Sequence, residues 1–187
     1  MKKRVFVITG ATGTGKTTVS DYLRDYYHMP KVITHTTRPP RKGEMNGVDY
    51  YFEDAASFEQ NHYLEEVEYS GYRYGSSHEG LDAGFEKNPY ITIVLDTKGA
   101  ITYAQELGDE AVIVFLTVSE DEALIDRMTK RGDDTLMLQQ RVDSPEYRRD
   151  LTLPKALQDV AHVIVNDDLE TTKVKIDALV SEIIATD

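Results

Sequence analysis

The chain has no cysteine among its 187 residues. Disulfides, thiolate metal sites and cysteine nucleophiles are therefore excluded, and such a composition suits a reducing compartment. Long apolar runs are missing as well. The longest, Ala111 to Leu116, falls far short of the ~20 residues that span a bilayer. Behind the basic start Lys2-Lys3-Arg4, the apolar stretch Val5 to Ile8 is shorter than the roughly 7–15 residues of a secretory signal. The expectation is a cytoplasmic protein with no membrane contact. There are no internal repeats or low-complexity segments. The five histidines (His28, His35, His62, His78, His162) show no metal-ligand spacing such as H-E-x-x-H, so they read as structural or surface residues.

What is present is acidic. The formal net charge is −12, and such a chain repels nucleic-acid backbones and anionic membranes. The exception is an island from Lys31 to Val48, where Lys31, Arg38, Arg41 and Lys42 meet one anion, Glu44. A local basic cluster in an acidic chain suits a small phosphorylated ligand better than a polymer; the plainer alternative is a solvated basic loop.

Strand-like and helix-like segments alternate along the chain. Val5 to Ile8 reads as a buried strand, Lys16 to Leu23 as helix, and Val32-Ile33-Thr34 as a second strand. Tyr90 to Leu95, Ala111 to Thr117 and His162 to Val165 read as further strands. Ser119-Glu120-Asp121-Glu122 reads as a capping box, opening a helix that points Leu124 and Met128 inward and stops at Gly132. In the closing helix Ile176, Leu179, Val180, Ile183 and Ile184 share one apolar face. This alternation implies an α/β fold with a central parallel sheet between two helix layers. The tyrosine-, glycine- and charge-rich segment 35–88 reads as an inserted α+β subdomain. It leaves 1–34 and 89–187 as the core, and the polar stretch at about 131–149 reads as a mobile lid.

Gly10-Ala11-Thr12-Gly13-Thr14-Gly15-Lys16-Thr17, followed by Thr18, matches G-x-x-x-x-G-K-[ST] between a strand and a helix. Successive backbone N–H groups of such a P-loop cradle phosphates at a helix N-terminus. Lys16 is expected on the β- and γ-phosphates and the Thr17 hydroxyl on Mg²⁺. A glycine-rich turn that binds nothing is the bland alternative. The motif specifies a nucleoside triphosphate and nothing narrower.

The stretch Thr36-Thr37-Arg38-Pro39-Pro40-Arg41-Lys42-Gly43-Glu44-Met45-Asn46-Gly47-Val48-Asp49-Tyr50-Tyr51-Phe52 resembles the guanylate kinase signature T-T-R-x-P-R-x-G-E-x-x-G-x-D-Y-x-F. Ser70 to Ser76 is similar to that family's S-G-x-x-Y-G-S/T element, and Val163 to Asp167 to its V-I-V-N-D strand. The resemblance implies a P-loop kinase that uses Mg-ATP as donor and GMP or dGMP as acceptor. Arg38 and Arg41 would clamp the acceptor phosphate with the Tyr50 and Tyr74 hydroxyls, while Thr34, Glu65, Ser76 and Asp96 would choose the base. Two guanidinium forks suit bidentate phosphate binding, and a carboxylate suits the adjacent N–H donors of guanine. Glu66 stands next to Glu65, leaving that register open. Arg127, Arg131 and Arg141 resemble the family's lid arginines, with Arg148 or Arg149 as substitutes.

Two departures stand out. The family's L-D-I-D-x-x-G appears with Val94 at its first aspartate, and Asp133 replaces a serine or threonine after Arg131-Gly132. Two other functions fit the resemblance less directly. One is a non-catalytic guanylate-kinase-like domain that binds proteins; the other is a P-loop kinase with a different phosphorylated acceptor.

Overall fold

The apolar start becomes β1 (Arg4–Thr9), and the phosphate-loop sequence leads into α1 (Lys16–Tyr27). The computed structural model describes residues 2–187. Then follow β2 (His35–Thr36), β3 (Tyr51–Phe52), α2 (Ala55–Phe58), β4 (Tyr63–Tyr69), β5 (Tyr72–Ser77) and α3 (His78–Phe85). The alternation resumes with β6 (Tyr90–Val94), α4 (Thr97–Leu107), β7 (Ala111–Thr117), α5 (Glu122–Lys130), α6 (Thr135–Val142) and α7 (Pro145–Asp150). The chain closes with β8 (Ala161–Val165) and α8 (Leu169–Thr186). No helix among the described residues is long and apolar enough to cross a membrane.

One sheet runs β6-β1-β7-β8 with every neighbouring pair parallel. Its faces explain why β1 is apolar throughout. Phe6 and Ile8 pack with Val19 and Leu23 of α1 and with Ile176 and Val180 of α8. Val5 and Val7 face the other way, toward Leu81 of α3 and Tyr103 of α4. A strand covered on both faces cannot alternate polar and apolar residues, and burying each such side chain contributes about 1.5–3 kcal/mol. The result is the expected three-layer α/β fold. The second sheet, β3-β2-β5-β4, is mixed: β2 pairs parallel with β3 and antiparallel with β5.

Several local expectations need correction. Val32-Ile33-Thr34 is not a strand. It touches β6 only near its start, through an isolated Lys31–Thr92 bridge flanked by Val32 N to Thr92 O (2.8 Å) and Thr92 N to Pro30 O (2.9 Å). Three residues after Val32, at His35, the chain pairs with β5 instead. The capping box does not form either. Ser119 donates its hydroxyl to Asp167 instead, and α5 begins at Glu122 without a side-chain cap. Ile184 is exposed, although Ile176, Leu179 and Val180 are buried as expected.

Gly132 does end α5. Its φ is +89°, Gly132 N donates to Thr129 O (3.0 Å) and Asp133 N to Met128 O (3.2 Å), the paired bonds of a Schellman stop. The segment expected to be a polar lid contains two short helices, α6 and α7, capped by Asp134 and Ser144. On α1, Tyr22 and Tyr27 donate to Asp177 of α8 at 2.7 Å each, tying those helices together.

Candidate active site

The phosphate loop is held from behind by residues far along the chain. Asn166, just past β8, donates Nδ2 to Thr14 O (2.7 Å), and its Oδ1 accepts from Thr172 (2.8 Å). Gly15 has φ +95°, and a Cβ there would lie 2.4 Å from Asn166 Nδ2, so only glycine fits. Arg127 donates to Asn166 O (2.7 Å) and Gly13 O (3.3 Å). It therefore braces the loop, and it does not line the cleft described below. Lys16 curls over the loop, with Nζ donating to Gly10 O (2.7 Å) and Ala11 O (2.9 Å). Burial pushes its pKa down to about 8, opposed by Asp150 and Asp96. Thr17 and Thr18 sit exposed on the first turn of α1.

A cavity of about 740 Å³ opens beside the loop, lined by Thr12 and Lys16 and by Thr34, Arg38, Arg41, Tyr50 and Tyr74. The two groups of cations therefore face one space. Arg38 is buried and forms a two-pronged pair with Glu44, at 2.9 Å for each nitrogen, while its guanidinium lies 5.4 Å from the Tyr50 ring centroid. Its Nε has no partner. Arg41 is exposed, and its backbone N–H donates to Glu44 (2.7 Å). Tyr50 and Tyr74 meet edge to face at 6.1 Å.

On the cavity wall formed by β4 the strand period decides between the two glutamates. Along β4 the buried residues are Glu65 and Val67, while Glu66 and Glu68 are exposed. Glu66 pairs with Arg73 outside. Glu65 lines the cavity at 3% exposure; its Oε2 accepts from Ser76 (3.2 Å) and its Oε1 has no partner. Burial, then the nearby Asp96, pushes its pKa up to about 8. Ser76 is fully buried and does not line the cavity. It accepts from Tyr103 (2.9 Å) and meets the cavity only through its bond to Glu65. Asp96 lines the cavity, caps α4 through Gly99 N (2.8 Å) and accepts from Arg149 (2.6 Å). Burial raises its pKa.

Arg131 and Arg141 both reach the cavity. Asp133 lies between them, accepting from Arg131 Nε (2.8 Å) and Arg141 (3.3 Å). Arg148 instead faces Asp143 (3.7 Å) outside the cleft. Arg149 bridges Asp96 and Asp150.

The family model described as guanylate kinase matches residues 2–183. The chain belongs to the guanylate kinase family. It is 34% identical to a guanylate kinase of Thermus thermophilus over 176 residues, covering 91% of this chain and 77% of that protein. A guanylate kinase of Neisseria gonorrhoeae is 36% identical, covering 90% and 82% of the two chains. The crystal structure of guanylate kinase from Anaplasma phagocytophilum superposes with a TM-score of 0.68 at 22% identity, covering 97% of this chain and 85% of that one. That likeness concerns the fold.

The guanylate kinase signature singled out the two arginines but not everything around them. Tyr69 lines the cavity with a buried, unpartnered hydroxyl. It follows Glu65 and Val67 at the same two-residue period along β4, so the pattern was there to find it. Tyr103, behind Ser76, sits on the buried face of α4. Asp150 lies outside every motif, at the end of a six-residue helix, and no sequence signal marks it.

Proposed function

We propose that this chain transfers the γ-phosphoryl group of Mg-ATP to GMP or dGMP, giving ADP and GDP. The observation that carries the reading is that Lys16 of the phosphate loop, the Arg38–Arg41 pair and Glu65 line one cavity. Phosphoryl transfer requires donor and acceptor in line, and the protein contributes mainly position and compensating charge. In this reading the loop amides and Lys16 hold the donor phosphates, Arg38, Arg41, Tyr50 and Tyr74 hold the acceptor phosphate, and Glu65 accepts from guanine. Arg131 and Arg141 then bring charge to the transferring group as 131–149 closes over the core of 1–34 and 89–187, with 35–88 carrying the acceptor.

The oxygen donors present suit a hard divalent cation. Among the described residues no cluster of three or more candidate ligands occurs. A Mg²⁺ here would rest on the Thr17 hydroxyl, nucleotide phosphates and water, and would neutralise charge developing on the phosphates.

The reading is tested by measuring ADP release from Mg-ATP across the common nucleoside monophosphates. GMP and dGMP are expected to turn over and AMP to stay near background. No GMP-dependent ADP would contradict the reading and favour a non-catalytic binding domain. Turnover of another phosphorylated acceptor alone would mean the base site is misassigned.

A further inference from the structure

Three carboxylates line the cavity: Glu65, Asp96 and Asp150. Glu65 stands at the acceptor end beside Ser76, where its free Oε1 is accounted for by the base. Both oxygens of Asp96 are used, one by Gly99 N and the other by Arg149. Asp150 differs. It is 2% exposed, and its Oδ1 accepts from Thr97 N (3.3 Å), from the Thr97 hydroxyl and from Arg149 Nε (2.9 Å). Its Oδ2 has no hydrogen-bond partner among the described residues.

Its anchor sets it in the cavity wall that also includes Thr12 and Lys16 of the phosphate loop. Leu95 N donates to Ile8 O (3.1 Å), which sets the end of β6 against the end of β1, just before the phosphate loop. Thr97, two residues on, holds Asp150. The strand on the other side of β1 ends at Thr117-Val118-Ser119 and offers no carboxylate. Phosphate loops of this kind pair their Ser/Thr hydroxyl with an acidic residue that helps hold the cation.

Resting on the kinase reading above, we infer that Asp150, through its unpaired Oδ2, is the carboxylate that orients the water shell of the nucleotide-bound divalent cation. Three donors on Oδ1 fix the side chain, so Oδ2 is preorganised without becoming a dedicated metal cage. Mg²⁺ favours such sites because it sheds its water reluctantly. The role is one of positioning.

The test uses the whole protein with ADP and Mn²⁺, the cation being followed by its electron paramagnetic resonance. Asp150→Asn keeps the Oδ1 acceptor and the shape but loses the charge. The expected result is Mn²⁺ affinity of the ADP complex lowered about 10–100-fold, the range seen for lost outer-shell partners, with metal-free ADP affinity unchanged. Unchanged Mn²⁺ affinity would overturn the inference, as would equal weakening of metal-free ADP, which marks a merely structural residue. Should the variant not fold, the wild-type protein is cut with Fe²⁺, ascorbate and peroxide in the presence of ADP. Backbone cleavage at residues 17 and 150 supports the inference, and cleavage at 17 without 150 refutes it. Nucleotide failing to bind the wild type at all would instead sink the kinase reading.

Discussion

Glu65→Gln is expected to lower kcat/KM for GMP by ~10⁴, the discrimination typical of a site built to pair with specific donors. An ionised carboxylate only accepts, which suits the N1–H and N2–H₂ edge of guanine, and of the three carboxylates in the cavity Glu65 is the one with a buried oxygen that has no partner. Its Oε1 is buried and unpartnered, and a Cβ at Gly99 would come within 2.8 Å of it, so space is kept free around an oxygen with nothing to bond. Glutamine would place an N–H against a guanine N–H. The same amide suits adenine, giving to N1 and accepting from N6, so selectivity for GMP over AMP should narrow sharply.

The pH dependence follows from the raised pKa of about 8. Below pH 8 the free protein holds a proton on Glu65 that guanine must displace. GMP affinity should therefore fall up to tenfold per unit as pH drops from about 8, and this slope should vanish in Glu65→Gln. Steady-state kinetics with GMP and AMP between pH 6 and 8 checks both points. GMP kcat/KM retained within about threefold would remove Glu65 from the base site.

Lys16→Met is expected to lower kcat by ~10²–10³, the scale of losing one preorganised charge-stabilising donor, without lowering stability at pH 7. The second half of the expectation comes from linkage. Burial holds the folded-state pKa of Lys16 near 8 against an ordinary value of 10.5. A base whose pKa is depressed on folding costs stability whenever it must be charged, fully below pH 8 and not at all above about 10.5. Removing that charge relieves the fold at pH 7. A lysine kept at such a cost is kept for a ligand. Turnover and thermal melting of the variant decide it: a melting temperature that falls together with activity would make Lys16 a structural residue.

The fold was legible where the hydrophobic pattern had one meaning. Val5 to Ile8 could only be a strand buried on both faces, and the glycine-rich loop after it could only join strand to helix. Legibility failed where a local pattern had a distant competitor. Ser119 had the right spacing for a cap, but Asp167, 48 positions away, takes its hydroxyl. Val32-Ile33-Thr34 had strand composition, but the pairing of His35 and Thr36 with β5 draws the chain from one sheet to the other.

The site divides in the same way. Residues from Arg38 to Tyr50 were readable because that stretch resembles the guanylate kinase signature at its fixed positions. The choice between Glu65 and Glu66 needed the strand's facing, and Asp150 needed the tertiary contact with Thr97. Asp133 looked like a departure from the lid pattern. Where it stands, it gathers Arg131 and Arg141 on one carboxylate, an arrangement visible only in three dimensions.

Two anion pockets on one cleft should both engage a single ligand, and titrating the protein with adenosine and guanosine joined 5′ to 5′ through a polyphosphate chain measures this. Since linking two sites makes the second contact intramolecular, binding is expected to be at least ~10²-fold tighter than that of ATP or GMP alone, with Arg38→Ala and Lys16→Met each weakening it. Affinity no better than that of ATP, insensitive to Arg38→Ala, would mean that the two pockets do not act on one chain of phosphates.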